Sequence, residues 1–115
     1  MGIYYHITKS KWVPSIMSKG IRPGYRRGLN VSGRKCKKVY LTNDVGRIVS
    51  HHCGEQYVRD NDLVVLVVEM PDGSLEPVRY SDGMTYTISD FEFTTGIVRQ
   101  SLISTVKPIS DFIKI

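Results

Sequence analysis

The chain has 115 residues, 41% of them hydrophobic, and a formal net charge of +5. That length suits one domain, residues 1–115, with one modest core, and that apolar content excludes a disordered chain. No apolar run approaches the ~20 residues that cross a bilayer, and no charged start leads into an apolar stretch as in a signal peptide, so a cytoplasmic protein without a membrane partner is expected.

Ile3 to Thr8 alternates, with Ile3, Tyr5 and Ile7 on one face and Tyr4, His6 and Thr8 on the other, which predicts a strand with an apolar and a polar side. A short helix is expected over Lys11 to Lys19. Pro14 sits in its first turn, Val13, Ile16 and Met17 form its buried stripe, and Gly20 is its C-cap. From Arg22 to Lys38 there are seven basic residues and no acid, among glycines that predict a loop. A field of that sign attracts phosphate, on a dinucleotide or on a nucleic acid.

Lys38 to Thr42 reads as the second strand. Asn43 is the expected N-cap of a second helix, Asp44 to Cys53. Leu63 to Met70 is an almost unbroken apolar run, as in a strand covered on both faces. Pro71-Asp72-Gly73 is a turn. Short strands are then expected near Glu76 to Arg79, Thr85 to Ile88, Phe91 to Thr95 and Thr105 to Ile109. The class is α+β.

Alternation places His6 with Thr8, Tyr40 with Thr42, and Glu92 with Thr94, each pair on one side of its strand. A shared polar face of that kind orients a ribose and a flat heterocycle. The histidine donates to sugar hydroxyls, the tyrosine ring stacks on a planar base, and the carboxylate fixes a hydroxyl or supports a developing cation. Taken singly, each residue has an ordinary structural role, and a glutamate between two phenylalanines commonly marks the solvent face of an edge strand. The joint order is what points to a site. His51, His52 and Cys53 are consecutive and point in different directions on a helix, so no metal site is expected there. Cys36 and Cys53 make neither a disulfide framework nor a four-ligand zinc site.

Tyr5-His6-Ile7-Thr8, followed by Pro14-Ser15-Ile16-Met17 and Gly20-Ile21-Arg22-Pro23, resembles the opening of the ADP-ribosyltransferase superfamily. More closely, it is similar to the DNA-modifying ADP-ribosyltransferase toxins and to the transferase lobe of RNA 2′-phosphotransferases. Val39-Tyr40-Leu41-Thr42 resembles the second motif, and Glu92-Phe93-Thr94-Thr95 the third motif of poly(ADP-ribose) polymerases. The resemblance implies two small packed β-sheets with short helices and a nucleotide cleft between them. It implies a mono-ADP-ribosyltransferase that moves ADP-ribose from NAD to a protein or nucleic-acid acceptor and releases nicotinamide. Catalytic roles then fall to His6, Tyr40 and Glu92. NAD would be held by His6, Thr8 and Tyr40, and its diphosphate by Arg26, Arg27 or Arg34. Glu69 and Glu76 are the alternative acids. Trp12 stands where the DNA-modifying toxins carry Asn, which argues against a DNA base as acceptor. The alternative function is a catalytically inactive nucleotide- or nucleic-acid-binding module, or a protein-contact inhibitor, on the same fold.

Overall fold

The computed structural model describes residues 1–23, 38–81 and 83–114. Its strands are β1 (Gly2–Lys9), β2 (Val39–Thr42), β3 (Leu63–Met70), β4 (Glu76–Ser81), β5 (Tyr86–Thr95) and β6 (Ile103–Pro108). They form one antiparallel sheet in the order β4-β5-β2-β1-β3-β6. With the short helices α1 (Val13–Lys19), α2 (Val45–Ile48) and α3 (Gly54–Asp60) the fold is α+β. The two separate packed sheets expected from the sequence are thus one continuous sheet. Its halves are joined at a single point. β1 pairs with β3 along its whole length, Gly2–Lys9, but with β2 only where Tyr5 meets Thr42.

Both faces of the sheet are covered, and β3 shows why its sequence is continuously apolar. Leu66, Val68 and Met70 join Ile21, Val39, Leu41, Val98 and Ile103 in one cluster, with Tyr4, Val13 and Ile16 against it. Leu63 and Val65 join Val45, Val49, Val58 and Ile109 in the other, with Tyr5 and Ile7 against it. Burying each such side chain contributes about 1.5–3 kcal/mol. β1 therefore has no free polar side of the kind expected: Tyr4 packs into the first cluster and meets Phe93 edge-to-face at 5.4 Å.

The first helix is shorter than expected. A 3-10 turn, Ser10–Trp12, leads into α1, and Pro14 lies in the opening turn. Val13 and Ile16 pack inward, but Met17 is exposed, because a seven-residue helix covers only a narrow strip of the sheet. Gly20 ends it at φ 80°. Asp44, not Asn43, caps the second helix, its Oδ1 accepting the Arg47 N–H at 3.1 Å. Asn43 instead donates its amide to the Asp90 carbonyl. The expected helix over residues 44–53 divides into α2 and one wide π-type turn, Val49–Cys53. Gly54, at φ 74°, then opens α3. The sequence reading stopped short of α3, which Glu55–Arg59 and Gln56–Asp60 contacts at i,i+4 spacing support from outside and Val58 holds from inside.

The two strands expected at residues 85–88 and 91–95 are one, β5. Its register against β4 slips between Pro77–Phe93 and Arg79–Ile88. Three extra residues are accommodated on β5 at that point, beside Glu92. The last strand lies two residues earlier than its expected start, at Ile103–Pro108.

Candidate functional site

Burying a polar group is costly unless it is satisfied, so clusters of them are informative. Among the described residues the buried polar side chains are Thr42, Ser89, Glu92 and Thr94, and all four lie on β2 and β5. Glu92 is 5% exposed on an internal strand, with β4 on one side and β2 on the other. The ordinary reading of this residue, as the solvent face of an edge strand, is therefore incorrect. The alternative acids differ. Glu69 is exposed near the end of β3, and Glu76 is exposed on the outer strand β4, 3.5 Å from Lys38 Nζ. Thr42 is held by its own bonds: Oγ1 donates to the Phe91 carbonyl and accepts from the Asp44 N–H at 3.0 Å. Thr94 Oγ1 donates to the Glu76 carbonyl at 3.4 Å.

The register decides which residues share a face. Tyr5 stands opposite Thr42, and Thr42 opposite Glu92, while Tyr40 stands opposite Thr94. Partners directly opposite in an antiparallel ladder project to the same side. Tyr40, Thr42, Glu92 and Thr94 thus share one face, as alternation within β2 and β5 suggests. That face is continuous with Tyr5 and Ile7 rather than with His6. His6 and Thr8 project with Tyr4 to the opposite face, so the common polar face expected for all three strands is not formed. A register offset of one residue reverses every side chain of a strand, and alternation within a strand carries no information about its neighbour's phase.

His6 meets β2 by another route. Its Nδ1 lies 3.0 Å from the carbonyl oxygen of Tyr40. A carbonyl only accepts, so Nδ1 carries the hydrogen and, in the neutral ring, Nε2 is left as an acceptor. The contact is possible because β1 and β2 have no further register pair beyond Tyr5 and Thr42. The residue is half-buried overall, yet its ring is enclosed well enough that burial pulls its pKa below the ordinary 6.5; the Tyr40 carbonyl offsets this only in part. The neutral ring is the form present near pH 7. In that form Nε2 can accept a hydrogen bond and cannot donate one, whereas the sequence points to a donor.

Because the folded state disfavours protonated His6, the unfolded state binds the extra proton more readily. This part of the stability is present above the ordinary value of 6.5 and declines as the pH falls from there toward the lower folded value. His6→Asn keeps a donor for the Tyr40 carbonyl and removes the titration. Urea midpoints measured between about pH 7.5 and 5 are expected to fall less steeply for His6→Asn than for wild type. Parallel slopes would show that His6 is not held neutral.

Around the far end of this face, Phe91 is clamped by α2 and the turn that follows it. The Arg47 guanidinium lies 4.3 Å from its ring centroid and the His51 ring stacks on it at 5.3 Å. Arg47 also pairs with Asp90 at 3.1 Å. Among the described residues no group of three His, Cys, Asp or Glu side chains is arranged to hold a metal ion, and no helix is long and apolar enough to cross a membrane. Arg26, Arg27 and Arg34 lie outside the described residues. The sequence reading missed Ser89, whose hydroxyl accepts the N–H groups of Phe91 and Glu92 at 3.2 and 3.0 Å. The signal available was a Ser-Asp pair, a turn-forming combination, inside an otherwise β-like run. Comparison with protein-family models and with curated proteins finds no match to this chain.

Proposed function

We propose that the chain is a mono-ADP-ribosyltransferase that moves ADP-ribose from NAD to a macromolecular acceptor. The observation that carries this reading is the burial of Glu92 on the face it shares with Tyr40, on strands β5 and β2 that the chain brings together from residues 52 apart. Motifs one, two and three of the resemblance fall on the adjacent strands β1, β2 and β5. In this reading Tyr40 stacks on the nicotinamide ring and Glu92 stands by the nicotinamide-side ribose, while His6, on the opposite face, acts on the site only by holding the Tyr40 carbonyl. Thr8 projects with His6 to the opposite face and lies outside this site, and Arg26, Arg27 or Arg34 would serve the diphosphate.

The chemistry asks little more of the protein than charge and position. The bond from the ribose carbon to the nicotinamide nitrogen breaks, its electron pair goes to that nitrogen, and the departing ring becomes neutral. The ribose carbon gains positive character, which a fixed carboxylate stabilises, until an acceptor atom bonds to it and gives up its proton. The Glu92 carboxylate supplies the charge, and its placement on an internal strand means that little reorganisation is needed at the moment of reaction.

NAD binding is the first test. Calorimetry is expected to show wild type binding NAD, and Tyr40→Ala binding it about tenfold more weakly, as loss of one base-stacking partner costs about 1–3 kcal/mol. Absence of any heat at millimolar NAD would remove the transferase reading. The same fold would then be read as a binding module for another nucleotide or for nucleic acid.

A further inference from the structure

Resting on the role proposed for Glu92, we propose that Ser89 is a positioning residue that sets the direction of the catalytic carboxylate. The residue is itself 7% exposed, in the middle of β5. Its Oγ accepts from two successive backbone donors, the N–H of Phe91 at 3.2 Å and the N–H of Glu92 at 3.0 Å. A hydroxyl oxygen has two lone pairs, and both are used here. These bonds lie where β5 slips against β4, between Pro77–Phe93 and Arg79–Ile88. In a regular ladder, residues 89 to 92 would alternate strictly and their amides would face neighbouring strands. The slip interrupts that ladder, and the serine bonds the two successive amides of Phe91 and Glu92 at that point. Beyond it the chain resumes pairing with β2 at Thr42 and Glu92. The backbone on which Glu92 rides is thus oriented from one side by Ser89 and from the other by β2. Bulges of this kind re-aim a side chain, and their bend is as definite as the bonds that close them.

Ser89 does not touch the substrate in this scheme, so its removal should act on the rate and not on binding. Ser89→Ala is expected to lower kcat about tenfold to a hundredfold, the cost of a small misplacement of a catalytic group. The dissociation constant for NAD should stay within about twofold of wild type, and the Glu92 amide should exchange its hydrogen faster. Ser89→Thr keeps the oxygen on a side chain suited to strands and is expected to restore most of the rate. If the alanine variant does not fold, Ser89→Cys fills the same space with a weak acceptor and is expected to show the same split. A wild-type rate in Ser89→Ala, or a threonine variant as slow as alanine, would overturn this inference and leave the role of Glu92 standing. An unchanged amide exchange at Glu92 would overturn it independently of any activity. A wild type that binds no NAD would end both readings together.

Discussion

Glu92→Gln is expected to reduce the rate of ADP-ribosyl transfer by about 10²–10³, the usual consequence of removing a preorganised electrostatic group that acts in the transition state. NAD affinity should change little, because the charge on the ribose develops only as the glycosidic bond breaks. The substitution preserves the shape of a side chain that is 5% exposed on an internal strand, so the melting temperature should fall only modestly. Glu69→Gln and Glu76→Gln are the proper comparisons. Both carboxylates are exposed, one near the end of β3 and the other on the outer strand β4, and neither change should slow transfer appreciably. Labelled NAD incubated with each variant and a cell lysate separates the cases. Transfer by Glu92→Gln at the wild-type rate would remove Glu92 as the catalytic acid even if NAD binds.

Gly20→Ala is expected to be the most damaging methyl added at any of the described glycines. Gly20 has φ 80°, a conformation that side-chain-bearing residues rarely adopt. A Cβ there would lie 2.3 Å from the Val98 carbonyl oxygen and 3.3 Å from Arg99 Cα. These are backbone atoms, and they are fixed: Ile21 and Val98 exchange both their hydrogen bonds, at 2.8 and 2.9 Å. That bridge fastens the end of α1 to the segment between β5 and β6, and both partners are core residues. The strained φ and the clash together should cost about 3–5 kcal/mol, which lowers the melting temperature by on the order of 15 °C. Gly73→Ala separates the two effects. Its φ is 79°, but nothing lies within 4 Å of the added Cβ, so only the backbone cost of about 1 kcal/mol should appear. Equal losses from the two substitutions would show that the close approach at Gly20 does not limit the fold.

Local pattern carried much of this architecture. The alternation of β1, the apolar run of β3, the Pro-Asp-Gly turn and the Gly20 cap are all properties of neighbouring residues, and each was readable as such. The basic stretch was equally visible, but Arg26, Arg27 and Arg34 lie outside the described residues. Helix ends are less legible in the sequence. Asn43 and Asp44 are both good caps, and the choice between them depends on Asp90, a residue of β5 that holds Asn43 away through its carbonyl. What the chain alone determined was therefore the α+β class, the placement of β1, β2 and β3 and the side on which each side chain leaves its own strand. Tertiary structure decided how those strands align. One register pair, Tyr5 with Thr42, sets the phase of β1 against β2, placing Glu92 and Tyr40 on one face and His6 on the other, and the slip of β5 against β4 brings Ser89 under the Glu92 amide. Side-chain periodicity is fixed by the backbone of a single strand, whereas phase between strands is fixed by hydrogen bonds between residues distant in the chain, and no local pattern records it.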